Sequence, residues 1–229
     1  MQRIGVLGGL GPQATMDFER RVHEVAQALL PQRANYGYPP MVVYYLRHAP
    51  VLVSEEGEPI LPMQADPRLF EAARTLGACS DFLVITANAP HLFALQIAEA
   101  AGVDVLSMID VTVQEVQRRG WRRVGLLGLG EPRVYEVPLD ALGIAYSVIS
   151  RAARDRLDEA ILALMAGAET EDDRQAARDA VGTLRQRGVD GIVLGCTEIP
   201  LLLGEGSDAE DLVNPAALLA EAAVRRAIA

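Results

Sequence analysis

Short, unbroken apolar runs recur along the chain: RIGVLGG (3–9), MVVYYL (41–46), DFLVIT (81–86), VDVLSM (103–108), RVGLLG (123–128), AYSVIS (145–150) and GIVLG (191–195). Runs of this length with no polar alternation predict parallel strands covered on both faces. Between them, apolar residues return at helical spacing over 15–30, 67–78, 91–102, 110–120, 154–167 and 171–188, and a closing helix is expected over about 215–228. Several of these stretches end at glycine, the common C-terminal stop. Strand and helix alternate throughout, so the pattern predicts an α/β fold with parallel sheets flanked by helices.

The pattern also repeats. RIGVLGGLGP (3–12) resembles RVGLLGLGEP (123–132), and SDFLVITANAPH (80–91) lines up with VDGIVLGCTEIP (189–200). Two half-chains of one plan predict two similar lobes related by a pseudo-twofold, one formed by 1–110 with 210–229 and the other by 111–209. Ligands of open α/β sheets bind beyond the carboxyl ends of the strands. Facing lobes would put Cys196 on one wall of a cleft and the aligned residue, Ala87, on the other.

Half of the 229 residues are apolar, enough for a sizeable core. The formal net charge of −10 argues against nucleic acid or an anionic membrane as partner. No apolar run reaches the roughly 18 residues of a membrane span. MQRIGVLGG lacks the apolar core of a secretory signal, and two cysteines fit a reducing cytoplasm, where the protein is expected. The chain contains no lysine, so it cannot form a Schiff base with pyridoxal phosphate or a carbonyl substrate.

Candidate chemistry gathers where strands end. Cys196 follows GIVLG and precedes an expected helix start, a position that favours the thiolate. Thr197 offers a hydroxyl and an N–H beside it. Cys79 stands before a strand without polar neighbours and reads as structural. GGLGPQAT (8–15) is a glycine-rich turn between strand and helix. Its Gly9–Gly11 backbone suits a substrate carboxylate better than a dinucleotide, whose fingerprint wants an acid that is missing after the second strand. ITANAPH (85–91) places Thr86 and Asn88 at a third strand end, and Asn88 can hold a carboxylate without titrating. His91 reads equally as a helix opener or a packed core residue. The three histidines, at 23, 48 and 91, have no metal-ligand spacing, and no metal is expected.

These stretches carry a resemblance. IGVLGGLGPQAT is similar to the I-G-I-L-G-G-M-G-P-x-A-T opening of the aspartate/glutamate racemase superfamily, which also contains hydantoin racemase and arylmalonate decarboxylase. ITANAPH resembles that family's C-N-T-x-H, and LGCTEIPLL resembles its second signature, G-C-T-E. The resemblance implies a cofactor-independent, usually dimeric isomerase, with two cysteines facing each other across the α-carbon of an amino acid. One thiolate removes the proton and the opposite thiol returns it to the other face.

The departures bear on mechanism. The first cysteine falls on Ala87 and the signature threonine on Ala89. The I-Y-x-I-K-A-G helix that holds a distal carboxylate in aspartate racemases reads ILALMAG here, with Leu162 and Met165 at the polar positions, and Leu129 follows Gly128 in place of G-T. The expectation is proton transfer at the α-carbon of a small carboxylate other than aspartate, with Cys196 as the single acid/base. Gly9, Gly11, Thr86, Asn88 and Thr197 would bind the substrate. A one-cysteine decarboxylase or lyase, and an inactive family member that only binds ligand, remain alternatives.

Overall fold

The computed structural model describes residues 1–34, 36–54 and 60–229. The chain divides into two compact units, Met1–Met108 with Ala216–Ala229, and Ile109–Pro215. In the first, the elements are β1 (Ile4–Gly8), α1 (Pro12–Leu29), β2 (Met41–Tyr45), α2 (Pro67–Gly77), β3 (Phe82–Ile85), a 3-10 turn (Ala89–Phe93), α3 (Ala94–Ala101) and β4 (Val105–Leu106). The second unit holds most of α4 (Met108–Arg118), then β5 (Arg123–Leu127), α5 (Arg133–Ala141), β6 (Ala145–Val148), α6 (Arg151–Met165), α7 (Glu171–Arg185), β7 (Gly191–Leu194), α8 (Ile199–Leu203), a 3-10 turn (Gly204–Asp208) and β8 (Leu212–Val213). Helix α9 (Pro215–Ile228) returns to the first unit.

Each unit contains one parallel four-stranded sheet, in the orders β2-β1-β3-β4 and β6-β5-β7-β8. The identical order is the structural counterpart of the repeat in the sequence. All seven expected strands are present. The eighth, β8, is only Leu212–Val213 between the polar Asp211 and Asn214, so no apolar run announces it. Because β8 pairs with β7, the return to the first unit falls at 215/216 and not near 210.

Double burial explains the continuous apolar runs. In the first unit Ile4, Val6, Phe82 and Val84 point to a layer completed by Phe18 and Val22 of α1 and by Leu219, Ala223 and Val224 of α9. Leu7, Leu83 and Ile85 point the other way, onto Leu69, Ala73 and Leu76 of α2 and Ile97 of α3. The second unit repeats this scheme. Val124, Leu126 and Val193 pack on α4 and α5, while Leu127, Ile192 and Leu194 pack on α6 and α7. Burying one such side chain contributes roughly 1.5–3 kcal/mol.

Two elements depart from the simple pattern. Helix α5 was not expected, since Pro138 lies inside it and interrupts the helical signal. The segment expected as one helix over 91–102 begins as the 3-10 turn and becomes α3 only at Ala94. Helix α6 begins just past the carboxyl end of β6 and is followed directly by α7, which packs back on α6 and on β5 and β7. The polypeptide opens α7 with a capping box, in which the Thr170 hydroxyl and the Asp173 carboxylate each serve the other's backbone N–H. Thr170→Ala should therefore cost about 1 kcal/mol. A melting point lowered by roughly 2–4 °C in calorimetry is the expected result.

Candidate functional site

In both sheets the central pair of strands, β1 with β3 and β5 with β7, marks the point where connections leave in opposite directions. Crevices at such points, beyond the strands' carboxyl ends, are where open α/β sheets bind ligands. The sequence-derived site residues follow these strand ends in each unit. Ala87 comes two residues after Ile85, the last of β3, and Cys196 two residues after Leu194, the last of β7.

In the first unit, Thr15 of α1 organises the end of β1. Gly9 has φ +82°, and a Cβ there would lie 2.7 Å from the backbone N and O of Leu46, so glycine is required twice over. The Gly9 N–H donates to Thr15 Oγ1 at 2.9 Å. That hydroxyl donates to the carbonyl of Gly11 at 3.1 Å and lies 2.9 Å from Thr86 Oγ1. With its one proton used on Gly11, Thr15 accepts the proton of Thr86. Thr86 is thus turned toward the glycine loop, and its hydroxyl presents only acceptor lone pairs elsewhere. Gly11 precedes the first turn of α1, whose N-terminal N–H groups carry the positive end of the helix dipole.

Ala87 and Asn88 follow Thr86, both nearly buried at 8% and 6% exposure. Ala87 offers only a methyl group. Their carbonyls lie 2.9 and 3.2 Å from Nδ1 of His91.

In the second unit, Gly195 lets the chain pass close to the sheet. A Cβ there would sit 2.6 Å from the Leu127 carbonyl and 3.0 Å from the ring of the fully buried Tyr135. Cys196 and Thr197 follow, and both donate to one oxygen: Sγ to Glu198 Oε2 at 3.1 Å, and Oγ1 to the same atom at 3.0 Å. Glu198 is 2% exposed, and its other oxygen, Oε1, is buried with no hydrogen-bond partner among the described residues. The Thr197 hydroxyl is consequently directed to Glu198.

The electrostatics reverse the expectation of an activated thiolate. Burial, and next the Glu198 charge, push the Cys196 thiol well above its ordinary value. The backbone N–H groups of Glu198 and Leu129 pull the other way, since both donate to the sulfur. Helix α8 is only five residues long, a weak dipole against a buried carboxylate. Burial also pushes the Glu198 carboxyl upward, against the hydrogen bonds from Cys196 and Thr197. Sγ, Oε2 and one shared proton therefore form a coupled pair.

Helix α6 supplies side chains near the end of β5. Asp158 Oδ1 accepts the N–H of Gly130 at 2.9 Å, which ties α6 to the loop after that strand. Desolvation pushes the Asp158 carboxyl upward, and the Gly130 N–H only partly offsets it. Residues 158, 162 and 165 share a helix face at i, i+4 and i+7. Leu162 is 54% and Leu129 45% exposed, while Met165 partly packs on the core. Thr15 and Glu198 were passed over in the sequence as site residues, although both stand inside the quoted motifs. A buried hydroxyl or carboxylate beside a reactive strand end was the signal available. The Cys79 sulfur lies 3.4 Å from the carbonyls of both Thr75 and Leu76, at the end of α2.

The Cys196–Glu198 pair has two measurable consequences. In a Cys79→Ser background, Glu198→Gln removes the facing charge, so the remaining thiol should titrate at lower pH by thiolate absorbance. The folded Glu198 carboxyl titrates above its unfolded value. Its contribution to stability is therefore full below the unfolded pKa and is lost as pH rises through the folded one. Glu198→Gln should remove that loss from the pH profile of denaturant-derived stability.

Comparison with known proteins identifies the family. The family model for Asp/Glu/Hydantoin racemase matches residues 7–223. The broad specificity amino-acid racemase RacX of Bacillus subtilis (strain 168) is 24% identical over 227 residues, covering 96% of each chain. The structure of a putative Asp/Glu racemase from Yersinia pestis superposes with a TM-score of 0.77 at 25% identity over 100% of both chains. An aspartate racemase homologue from Pyrococcus horikoshii OT3 gives 0.76 at 23% identity, again over 100% of both. With a match from the glycine turn after β1 to the closing helix, and with the same fold, the chain belongs to the Asp/Glu/hydantoin racemase family.

Proposed function

We propose that the protein moves protons at the α-carbon of a small carboxylate without a cofactor, using Cys196 as its one acid/base. The observation that carries this reading is the direction of the Cys196 thiol proton, which points at a buried carboxylate oxygen 3.1 Å away. Transfer of that proton to Glu198 leaves a thiolate held by the N–H groups of Leu129 and Glu198. The thiolate takes the α-proton of the substrate, the electron pair passes into the carboxylate as an enediolate, and the thiol so formed returns a proton to carbon. A positioned acid/base of this kind contributes roughly 10²–10⁴-fold. Thr197 serves by holding Glu198.

The carboxylate of the substrate is assigned to Asn88, the Gly9–Gly11 backbone and the first turn of α1. Gly9 and Gly11 are held in place by Thr15, which gives its proton to the Gly11 carbonyl and accepts that of Thr86. Independence from pyridoxal phosphate is supported by the absence of lysine. The apolar Leu129 and Leu162 favour a substrate whose side chain carries no negative charge, because neither side chain can pair with a second carboxylate. A cytoplasmic homodimer acting on a free amino acid or related acid is the setting proposed.

Ala87 favours a second reading on the same scaffold. A methyl group supplies no proton to the opposite face, and a decarboxylase needs only one. In that reaction the substrate loses carbon dioxide, the electron pair of the broken bond forms the enediolate, and Cys196 protonates it from one side.

Incubation in heavy water with L- and D-amino acids and substituted malonates, followed by NMR, tests both. Deuterium should enter the α-position with one stereochemical outcome, and Cys196→Ser should slow this by roughly 10²-fold or more. Carbon dioxide release with one product enantiomer selects the decarboxylase. No exchange or release from any compound overturns the proposal. Ala87→Cys, which supplies a second acid/base, should convert one-sided exchange into racemisation, read as decay of optical rotation.

A further inference from the structure

His91 is buried at 8% exposure and has no part in the proton transfer above. Both ring nitrogens have backbone partners. The Met108 N–H donates to Nε2 at 3.0 Å, and a nitrogen that accepts a hydrogen bond carries no proton. Nδ1 therefore holds the proton of the neutral ring and donates to the carbonyl of Ala87 at 2.9 Å, with that of Asn88 at 3.2 Å. This is the less favoured tautomer of a free imidazole, so the surroundings select it.

The two ends of the ring reach different parts of the fold. Met108 opens α4, and its N–H is one of the first-turn donors that a helix cannot satisfy internally. The imidazole accepts that N–H from outside the helix. Met108 is also the last residue before the chain passes to the second unit. The other end grips the peptide groups of the two residues that follow β3 and Thr86. With both nitrogens committed, His91 cannot stand in for the cysteine missing at position 87.

We propose that His91 is a positioning residue: as a neutral Nδ1–H imidazole it braces the Ala87–Asn88 peptides against the N-terminus of α4 and so sets where the Asn88 amide meets the substrate. The role of Asn88 rests on the reading in the preceding subsection, but the brace itself does not.

Long-range proton–nitrogen NMR on histidine-labelled protein tests the brace first. One histidine should show the Nδ1–H tautomer at neutral pH, and its signal should vanish in His91→Gln. An Nε2–H tautomer for His91 overturns the proposal. The second arm compares His91→Leu, which removes both bonds, with His91→Gln, which keeps one donor and one acceptor. His91→Leu should shift the amide resonances of residues 87–89 and slow the deuterium exchange by on the order of 10- to 100-fold, and His91→Gln should recover most of both. Resonances or exchange left unchanged in folded His91→Leu overturn it. Should His91→Leu fail to fold, His91→Asn, too short to span both partners, carries the same comparison. If wild-type protein exchanges nothing, the assignment of Asn88 fails, while the tautomer and the 87–89 resonances still decide the brace.

Discussion

Burial of each four-stranded sheet on both faces is the constraint from which the remaining arrangement follows. Alternate side chains of β1, β3, β5 and β7 point into opposite apolar layers, so no interior strand position is left to meet a ligand. Chemistry is displaced to the few residues past each carboxyl end. There the chain has left the sheet's hydrogen-bond ladder, and loop backbone must find other partners. Thr15 and His91 are such partners, each buried and each holding a loop that carries a proposed substrate contact, while Glu198 accepts from the side chains of Cys196 and Thr197. The side chains that solve the backbone's hydrogen-bond problem also make the loops rigid, and rigidity is what a site for charge development needs.

Much of this was legible in the chain. Unbroken apolar runs such as FLVI and GIVL identify doubly covered strands, and the repeated plan anticipated two sheets of one order. The site was legible at the level of motifs: the glycine turn, ITANAPH and GCTE all fall at strand ends. What was hidden depends on pairings between distant residues. Nothing local says that Thr15 and Thr86, 71 positions apart, share a proton, or that His91 reaches Met108. Strand β8 is hidden between the polar Asp211 and Asn214, and α5 carries a proline that mimics a stop. The thiol was misjudged for a related reason. A helix start was weighed as if it were long and solvated, whereas α8 is short and the carboxylate two residues away is buried with the sulfur.

The two units carry the same plan with unequal equipment. At the end of β7 a thiol and a hydroxyl both donate to one carboxylate oxygen; at the equivalent place after β3 there is a methyl group flanked by hydrogen-bonded peptides. The backbone positions are matched while the protons are not. Under the function proposed above, that asymmetry leaves one face of carbon served, without altering a strand, a register or a core layer.

Leu162 sits on the face of α6 that Asp158 holds against the loop after β5, and more than half of its surface is open. Changes at exposed positions of this kind usually alter stability by no more than about 0.5 kcal/mol. Glu198, in contrast, is enclosed on all sides and shares its proton with the thiol. Drift among descendants of this chain is therefore unevenly permitted. The residues that would choose a ligand's side chain are free to vary, while those that would act on its α-carbon are held by the fold itself, so new preferences can arise in this lineage without first acquiring spare stability.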